Sequence, residues 1–276
     1  MAIRSARNVL VLLPALGLFL TAGCAESVDP GADTAADDEV TLVNEGTLTG
    51  CTNLPYEPFE FEQDGETVGF DIDLLGLVAT DLDVELDVSD TSFEGIESGK
   101  AFDSGQCDIA AAAISITDER SEVMDFSDGY FDANQALAVH TDSQVEEMVD
   151  LEDKVLGVQE GTTGEQYAEE HEDEYGYTIQ QYEDLGLLET AVRTKDVHAG
   201  INDNSVLYVM VDDHDDVEIT DEFETGEEYG IAVRDGDNAL RARVNEVLDT
   251  ARENGQYAAH YEEWFGRKPD ERTDRE

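Results

Sequence analysis

Residues 110–130 read Ala-Ala-Ala-Ala-Ile-Ser-Ile-Thr-Asp-Glu-Arg-Ser-Glu-Val-Met-Asp-Phe-Ser-Asp-Gly-Tyr. This stretch starts as an apolar run of small residues, passes into hydroxyl side chains and then reaches Arg120. Such a run is typical of a buried strand in a parallel sheet, so the hydroxyls and the guanidinium should emerge at its carboxyl end. Open α/β sheets bind ligands there, and the planar fork of an arginine matches a carboxylate. The alternative is that Arg120 lies on the surface at a helix start.

Strand-like and helical segments alternate on both sides of this stretch. The predicted strands are 48–52, 84–88, 108–113, 155–159, 178–182, 198–202 and 229–233. The predicted helices are 70–82, 93–99, 161–171, 185–193, 206–211 and 240–257. Asp64-Gly65 indicates a hairpin turn between short flanking segments. This alternation predicts two α/β units, each built around a mostly parallel sheet.

The composition is strongly acidic, with 68 Asp and Glu residues against 15 Lys and Arg and a formal charge of −53. This balance argues against binding nucleic acid, which needs a basic surface, and against adsorption to anionic lipid headgroups. Hydrophobic residues make up 40% of the chain, which is enough for a core. Because the acidic residues are spread along the folded-looking region rather than confined to a tail, we interpret them as an adaptation to high salt, where cations screen self-repulsion.

The amino terminus has the order of an export signal. Arg4 and Arg7 precede an apolar run over 9–20 that is too short to span a bilayer comfortably. The following Leu20-Thr21-Ala22-Gly23-Cys24 resembles a bacterial lipoprotein processing site. That resemblance implies a signal peptide over 1–23 and lipid attachment to Cys24, which anchors the protein to the outer face of the cell membrane. Residues 24–43 are then an acidic flexible tether.

The two remaining cysteines, Cys51 and Cys107, each fall in or next to a predicted strand. Export places them in an oxidising compartment, where a disulfide is possible if the two strands are neighbours. Two separate buried thiols are the alternative, and a structural role is expected in either case.

Several further motifs carry a family resemblance when they are taken in order. These motifs are 53–61 (Asn-Leu-Pro-Tyr-Glu-Pro-Phe-Glu-Phe), 69–74 (Gly-Phe-Asp-Ile-Asp-Leu), 115–120 (Ser-Ile-Thr-Asp-Glu-Arg), 125–127 (Asp-Phe-Ser), 157–163 (Gly-Val-Gln-Glu-Gly-Thr-Thr) and 264–266 (Trp-Phe-Gly). Over residues 44–268 the chain resembles the bacterial extracellular solute-binding proteins of family 3, the polar amino acid receptors of ABC importers.

The resemblance implies a type II periplasmic-binding-protein-like fold, an α/β fold of two lobes joined by two hinge strands. The hinge strands would lie near 130–134 and 225–229. Lobe 1 would combine residues 44–129 with 230–268, lobe 2 would be 135–224, and 269–276 would form a charged tail.

The resemblance also implies a binding site for a zwitterion. Arg120 would hold the α-carboxylate, and Asp203 on the other lobe would bind the α-ammonium. Ala113 and Ser115 match positions that supply backbone or hydroxyl contacts. Thr163, near a helix start, would add an N–H to the same carboxylate.

The ligand side chain would lie among residues of a second group. Tyr56 and Phe93 match aromatics that sandwich it, although a core role is the alternative for Phe93. Asn53, where the family often has Asp, and Gln159 are polar and neutral. Because no second Arg or Lys is evident for an acidic side chain, we expect a polar uncharged or cationic amino acid.

The expected function is therefore ligand capture by a monomer that delivers an amino acid to an ABC transporter permease, with no cofactor and no metal. Two alternatives stay open. A secreted dehydratase of the same fold could use Glu160 or Asp203 as a general acid. A ligand-sensing module is the other, although no signalling domain accompanies the lipoprotein-like start.

The acidic composition generates a test of salt dependence. Since the Debye length falls from about 10 Å at 0.1 M salt to about 3 Å at 1 M, the melting temperature should rise by several degrees between these concentrations. Thermal unfolding followed by circular dichroism measures this rise, with sucrose of equal osmolality as a control that leaves screening unchanged. A melting temperature indifferent to salt would contradict the interpretation.

Overall fold

A computed structural model describes residues 40–269 of the 276-residue chain. The predicted signal peptide 1–23, Cys24, most of the predicted tether and nearly all of the predicted tail lie outside the described residues. Within residues 40–269, no helix has both the length and the apolar character needed to cross a membrane.

Short strands alternate with helices along most of the described chain. The strands are β1 (Thr47–Thr52), β2 (Phe61–Gln63), β3 (Glu66–Val68), β4 (Glu85–Asp90), β5 (Ile109–Ala110), β6 (Met124–Phe126), β7 (Phe131–His140), β8 (Val155–Gln159), β9 (Thr178–Tyr182), β10 (Ala199–Asp203), β11 (Val217–Tyr229) and β12 (Ala232–Arg234). The α-helices are α1 (Phe70–Asp81), α2 (Phe93–Glu97), α3 (Lys100–Asp103), α4 (Thr163–Tyr175), α5 (Leu185–Thr194), α6 (Asn204–Asp213), α7 (Asn238–Asn254) and α8 (Gln256–Phe265).

The larger strands form two five-stranded sheets within the described residues. The first sheet has the order β4-β1-β5-β12-β6, and the second has the order β11-β7-β10-β8-β9. In the first, β1 pairs in parallel with β4 and β5, whereas β12 runs antiparallel to its neighbours. In the second, β8 pairs in parallel with β9 and β10, and β7 is the antiparallel strand. In each sheet the chain therefore runs in one direction in four strands and reverses in the fifth.

The two sheets are linked through β7 and β11, which pair with each other near the crossing points that the resemblance implies. Tyr229 lies opposite Phe131 in this pairing. Beyond Tyr229 the chain returns to the first sheet as β12, and before β7 it comes from β6 of the same sheet.

Most predicted elements match, and three differ for identifiable reasons. The strand predicted over 108–113 is limited to β5, because Ala113 takes a positive φ of 46° and leaves the ladder. The strand predicted over 229–233 is split between the end of β11 and β12. The helix predicted over 240–257 is interrupted at Gly255, whose φ of 84° ends α7 and starts α8.

An aromatic cluster packs the carboxyl-terminal helix against the crossing strands. The ring centroids of Phe131 and Tyr229 lie 5.5 Å apart, and those of Phe131 and Phe265 lie 5.1 Å apart. Phe59 meets Phe131 edge to face at 4.9 Å. These separations are typical of favourable aromatic pairs, so α8 is held directly on the strands that join the sheets.

A disulfide joins Cys51 and Cys107, whose Cα atoms are 5.7 Å apart. Cys51 lies in β1, and Cys107 comes just before β5, the strand beside it. The sequence left open a bond or two free thiols, and the structure confirms the bond. It fastens the segment that leads towards Arg120 to the centre of the first sheet.

Candidate functional site

A small, nearly filled cavity lies where residues from both sheets converge. Its lining residues are Tyr56, Phe93, Ala112, Ala113, Ser115, Arg120, Gln159, Thr162, Thr163 and Asp203. Every residue predicted for ligand contact is among them except Asn53. The polar groups come from chain segments that are far apart in sequence, as in a ligand pocket with convergent polar groups.

Arg120 is buried, with a relative exposure of 5%, so the surface alternative is wrong. Its Nη1 donates to the Ser115 carbonyl at 2.8 Å, and its Nη2 donates to the Gly161 carbonyl at 2.9 Å. Its Cζ also lies 5.2 Å from the centroid of the Phe93 ring, within cation–π range. Burial lowers the pKa of Arg120, but a guanidinium stays charged in proteins, so the cavity contains a desolvated cation.

Asp203 ends β10 and is 3% exposed. Its Oδ2 accepts hydrogen bonds from the hydroxyls of Tyr56 (3.0 Å) and Tyr229, and its Oδ1 accepts one from Gln135 Nε2. Burial raises the pKa of Asp203 to about 6, the charge of Glu227 adds to this rise, and the hydrogen bonds oppose it. At neutral pH this wall of the cavity therefore carries an ionised, well-oriented carboxylate.

A chain of neutral amides runs along one side of the cavity. Gln159 Nε2 donates to Asn53 Oδ1, and Asn202 Nδ2 donates to Gln159 Oε1, each at 3.1 Å. The Tyr56 hydroxyl has one hydrogen, which it shares between Asn202 Oδ1 at 2.6 Å and Asp203 Oδ2 at 3.0 Å. Asn53 also donates to the Thr91 carbonyl and does not line the cavity, so it meets the cavity only through its bond with Gln159.

Phe93 has the core position that was predicted as the alternative, and it also lines the cavity. It starts α2 and packs in a core cluster with Ile96 and Phe102 beneath it. One side of its ring nevertheless lines the cavity beside Arg120. Packing thus fixes the ring that the ligand site uses.

Buried carboxylates support the cavity from behind. Asp71 Oδ2 accepts the Ala113 N–H at 2.8 Å and holds that residue in its left-handed conformation, while both Asp71 oxygens accept from the Tyr130 hydroxyl. Burial raises the pKa of Asp71 to about 7, against the effect of these hydrogen bonds. Burial, with the charge of Asp71, also raises the pKa of Glu60, whose side chain is fully buried.

Glu227 was not predicted from the sequence, yet it bonds to two predicted residues. Its Oε2 accepts from the Ser115 and Thr163 hydroxyls, each at 2.6 Å. Its Oε1 accepts from Gln135 Nε2 at 3.0 Å and from the Thr225 hydroxyl at 2.7 Å. The available signal was a Thr-Gly-Glu turn inside an otherwise strand-like segment. Gln135, Asn202 and Tyr229 also escaped prediction, because buried strand residues offer no distinctive pattern.

Away from the cavity, Asp73, His260 and Glu263 bring potential metal-ligating atoms within 4.8 Å of one another. An Asp73 oxygen lies 2.9 Å from His260 Nδ1 and accepts from Trp264 Nε1 at 2.7 Å. The Trp264 ring also meets Phe61 edge to face at 5.7 Å. These contacts connect α8 to α1 and the β2–β3 hairpin.

The chain is similar to known proteins over most of its length. A model of the family described as bacterial extracellular solute-binding proteins, family 3, matches residues 48–267. The ABC transporter glutamine-binding protein GlnH of Bacillus subtilis is 29% identical over 272 residues, covering 95% of this chain and 98% of that protein.

Solved structures show the same likeness. An ancestral arginine-binding protein bound to arginine is 36% identical and aligns with a TM-score of 0.75, covering 80% of this chain and 99% of the other. The arginine-, lysine-, histidine-binding protein ArtJ of Geobacillus stearothermophilus is 30% identical with a TM-score of 0.75, covering 83% of this chain and 100% of the other.

Replacing Asp71 with Asn should flatten the pH dependence of stability between about pH 4 and pH 7. The folded-state pKa of about 7 lies above the unfolded value, so the folded protein holds this proton more tightly. The resulting stabilisation is complete below the unfolded pKa and is lost as the pH rises through 7, at up to about 1.4 kcal/mol per pH unit. Denaturant unfolding of the parent and Asp71→Asn across this range measures the difference. Parallel profiles would contradict the assignment.

Proposed function

This chain belongs to the bacterial extracellular solute-binding proteins of family 3, and we propose that it captures a free amino acid between its two lobes for delivery to an ABC importer. One observation carries the proposal: buried Arg120 and buried Asp203 line the same small cavity from opposite sheets. A cation and an anion so placed complement the two ends of a zwitterion.

Arg120 supplies the carboxylate end of the proposed site. Two of its five N–H groups are used by the Ser115 and Gly161 carbonyls, and the side chain lines the cavity. The backbone N–H of Thr163 lies in the first turn of the 13-residue helix α4, where donors lack intrahelical partners. Each charge-assisted bond formed here contributes about 1.5–3 kcal/mol.

The ligand side chain is proposed to be polar and uncharged, or cationic. Gln159 offers a neutral amide, and among the described residues no Arg or Lys besides Arg120 lines the cavity. A neighbouring cleft that shares Arg120, Thr162 and Thr163 carries four carboxylates, from Glu97, Glu119, Glu165 and Glu169. Their field disfavours acidic amino acids and favours cationic ones. The relatives GlnH and ArtJ are named for ligands of these two kinds.

We propose that the protein is not an enzyme. The relatives reported above are named as binding proteins. Glu160, one of the acids considered for a dehydratase, is exposed and does not line the cavity. Asp203, the other, has a pKa raised to about 6 by burial, so at neutral pH it is mostly ionised and lacks the proton that a general acid must donate.

Proteins of this family are exported, and we propose that this one is held at the outer face of the membrane by lipid on Cys24. The support is the order of basic start, apolar run and Leu-x-x-Gly-Cys in the sequence. We propose that the protein acts as a monomer and that its ligand-bound form meets the permease at this face of the membrane.

The function predicts ligand-induced stabilisation that depends on Arg120. In a thermal-shift screen of the common amino acids in molar salt, at least one neutral polar or cationic amino acid should raise the melting temperature. Arg120→Ala, which loses at least two charge-assisted bonds, should weaken its binding by at least about 100-fold.

Arg120→Lys keeps the charge without the fork and should bind with intermediate affinity. Arg243→Ala removes a half-exposed arginine that pairs with Asp81 and Glu246 and should bind as the parent does. A parent that responds to no amino acid would refute the function, and an Arg120→Ala variant with parental affinity would refute the assigned role.

The lipid anchor predicts a change in partitioning. In a bacterial host the parent should enter the detergent phase of a Triton X-114 extraction, because several acyl chains dominate its partitioning. Cys24→Ala should stay in the aqueous phase. Equal partitioning of the two proteins would refute lipid attachment at this cysteine.

A further inference from the structure

The inference concerns Glu227, which lies in β11 where the pairing with β7 is irregular. The register shifts between Phe223 and Glu227, and Gly226 between them has a φ of 67°. The Gly226 N–H donates to Asn134 Oδ1 at 3.1 Å and so fixes the irregular turn to β7. Bulges of this kind re-aim the side chain that follows. The Glu227 carboxylate is thereby directed to the groups at the edge of the ligand cavity.

Glu227 bonds to a hydroxyl on each side of that cavity. Ser115 follows β5 of the first sheet, and Thr163 starts α4 beside the second sheet. Both hydroxyls donate to the same oxygen, Glu227 Oε2, at 2.6 Å. The bond lengths are those of hydroxyl-to-carboxylate hydrogen bonds, which are stronger than neutral ones.

These bonds decide what the two hydroxyls can offer a ligand. A hydroxyl has a single hydrogen and two lone pairs. With that hydrogen given to Glu227, Ser115 Oγ and Thr163 Oγ1 can only accept from a molecule in the cavity that both residues line. Gln135 Nε2 lies 3.2 Å from Thr163 Oγ1 and uses one of its lone pairs, so Thr163 has one lone pair left for such a molecule. Both hydroxyls are therefore unsuited to donating to a ligand carboxylate and are suited to accepting from an ammonium group.

We propose that Glu227 is a positioning residue for the ammonium end of the ligand. Because Glu227 accepts the hydroxyl hydrogens of Ser115 and Thr163, lone pairs of these hydroxyl oxygens face the cavity. They can then accept hydrogen bonds from the ligand ammonium group together with the Asp203 carboxylate. Glu227 also ties together one hydroxyl from each sheet. This inference rests on the proposed amino acid-binding function and assigns the part of the site that recognises the amino group.

The test uses the full chain in molar salt, with L-arginine and L-glutamine as probes and isothermal titration calorimetry as the measurement. Glu227→Gln keeps the size of the side chain but can donate its own amide hydrogens to the two hydroxyls, whose hydrogens then turn to the cavity. The Glu227→Gln variant should therefore bind at least about tenfold more weakly to whichever probe the parent binds. Glu228→Gln makes the same charge change at the exposed neighbouring position and should stay within about twofold of the parent.

Two further measurements separate positioning from general support of the fold. Glu227→Asp keeps the carboxylate and should bind more tightly than Glu227→Gln. In a Ser115→Ala background, where one of the two hydroxyls is gone, Glu227→Gln should reduce the affinity for the probe by a clearly smaller factor than it does in the parent.

The inference fails if Glu227→Gln binds the probe as tightly as the parent does, or more tightly. It also fails if Glu228→Gln loses as much affinity as Glu227→Gln, or if Glu227→Gln reduces the affinity by the same factor in the Ser115→Ala background. Those results would leave the proposed function intact, because the parent would still bind an amino acid. A parent that binds neither probe would instead refute the proposed function for these two ligands, and the inference with it.

Discussion

The structure depends on one buried guanidinium in a chain that is otherwise overwhelmingly acidic. Arg120 is 5% exposed and is bonded to one backbone carbonyl from each side of the cavity. Removing a cation from water costs several kcal/mol unless its donors are satisfied. Ser115 and Gly161 satisfy two of them, and the ring of Phe93 lies within cation–π range of the same group. The need to solvate this one charge explains why so much polar structure converges on a small space.

The polar groups around Arg120 are themselves supported by residues behind them. Asp71 fixes the backbone of Ala113, Gln135 bonds to Asp203, and Glu227 bonds to Ser115 and Thr163. Such second contacts reduce the freedom of the groups that face a ligand, which lowers the entropy lost on binding. The site is therefore largely organised by the protein, at the expense of burying several carboxylates whose pKa values are raised by desolvation.

Sequence reasoning predicted the two charged residues on opposite walls of the cavity, Arg120 and Asp203, better than the residues that bond to the groups between them. Arg120 was predictable because it follows a buried apolar run and a set of hydroxyls at the carboxyl end of a strand, and Asp203 was predictable only because the motifs place the chain in a family. The disulfide could only be left open, since pairing depends on which strands are neighbours. Glu227 could not be found, because its role comes from an irregular turn that re-aims one side chain among many acidic ones. The break at Gly255 was missed for a related reason: the apolar periodicity continues through it, and a single φ value ends the helix.

The aromatic cluster around Phe131 has a practical consequence for following the protein in solution. Trp264 is the only tryptophan in the chain, and it neighbours Phe265, whose ring stacks on Phe131 at the strands joining the lobes. Its indole is hydrogen-bonded to Asp73 in the first lobe. The native sequence thus contains a single tryptophan beside the strands that join the two sheets, and its emission offers a label-free optical signal from this part of the molecule.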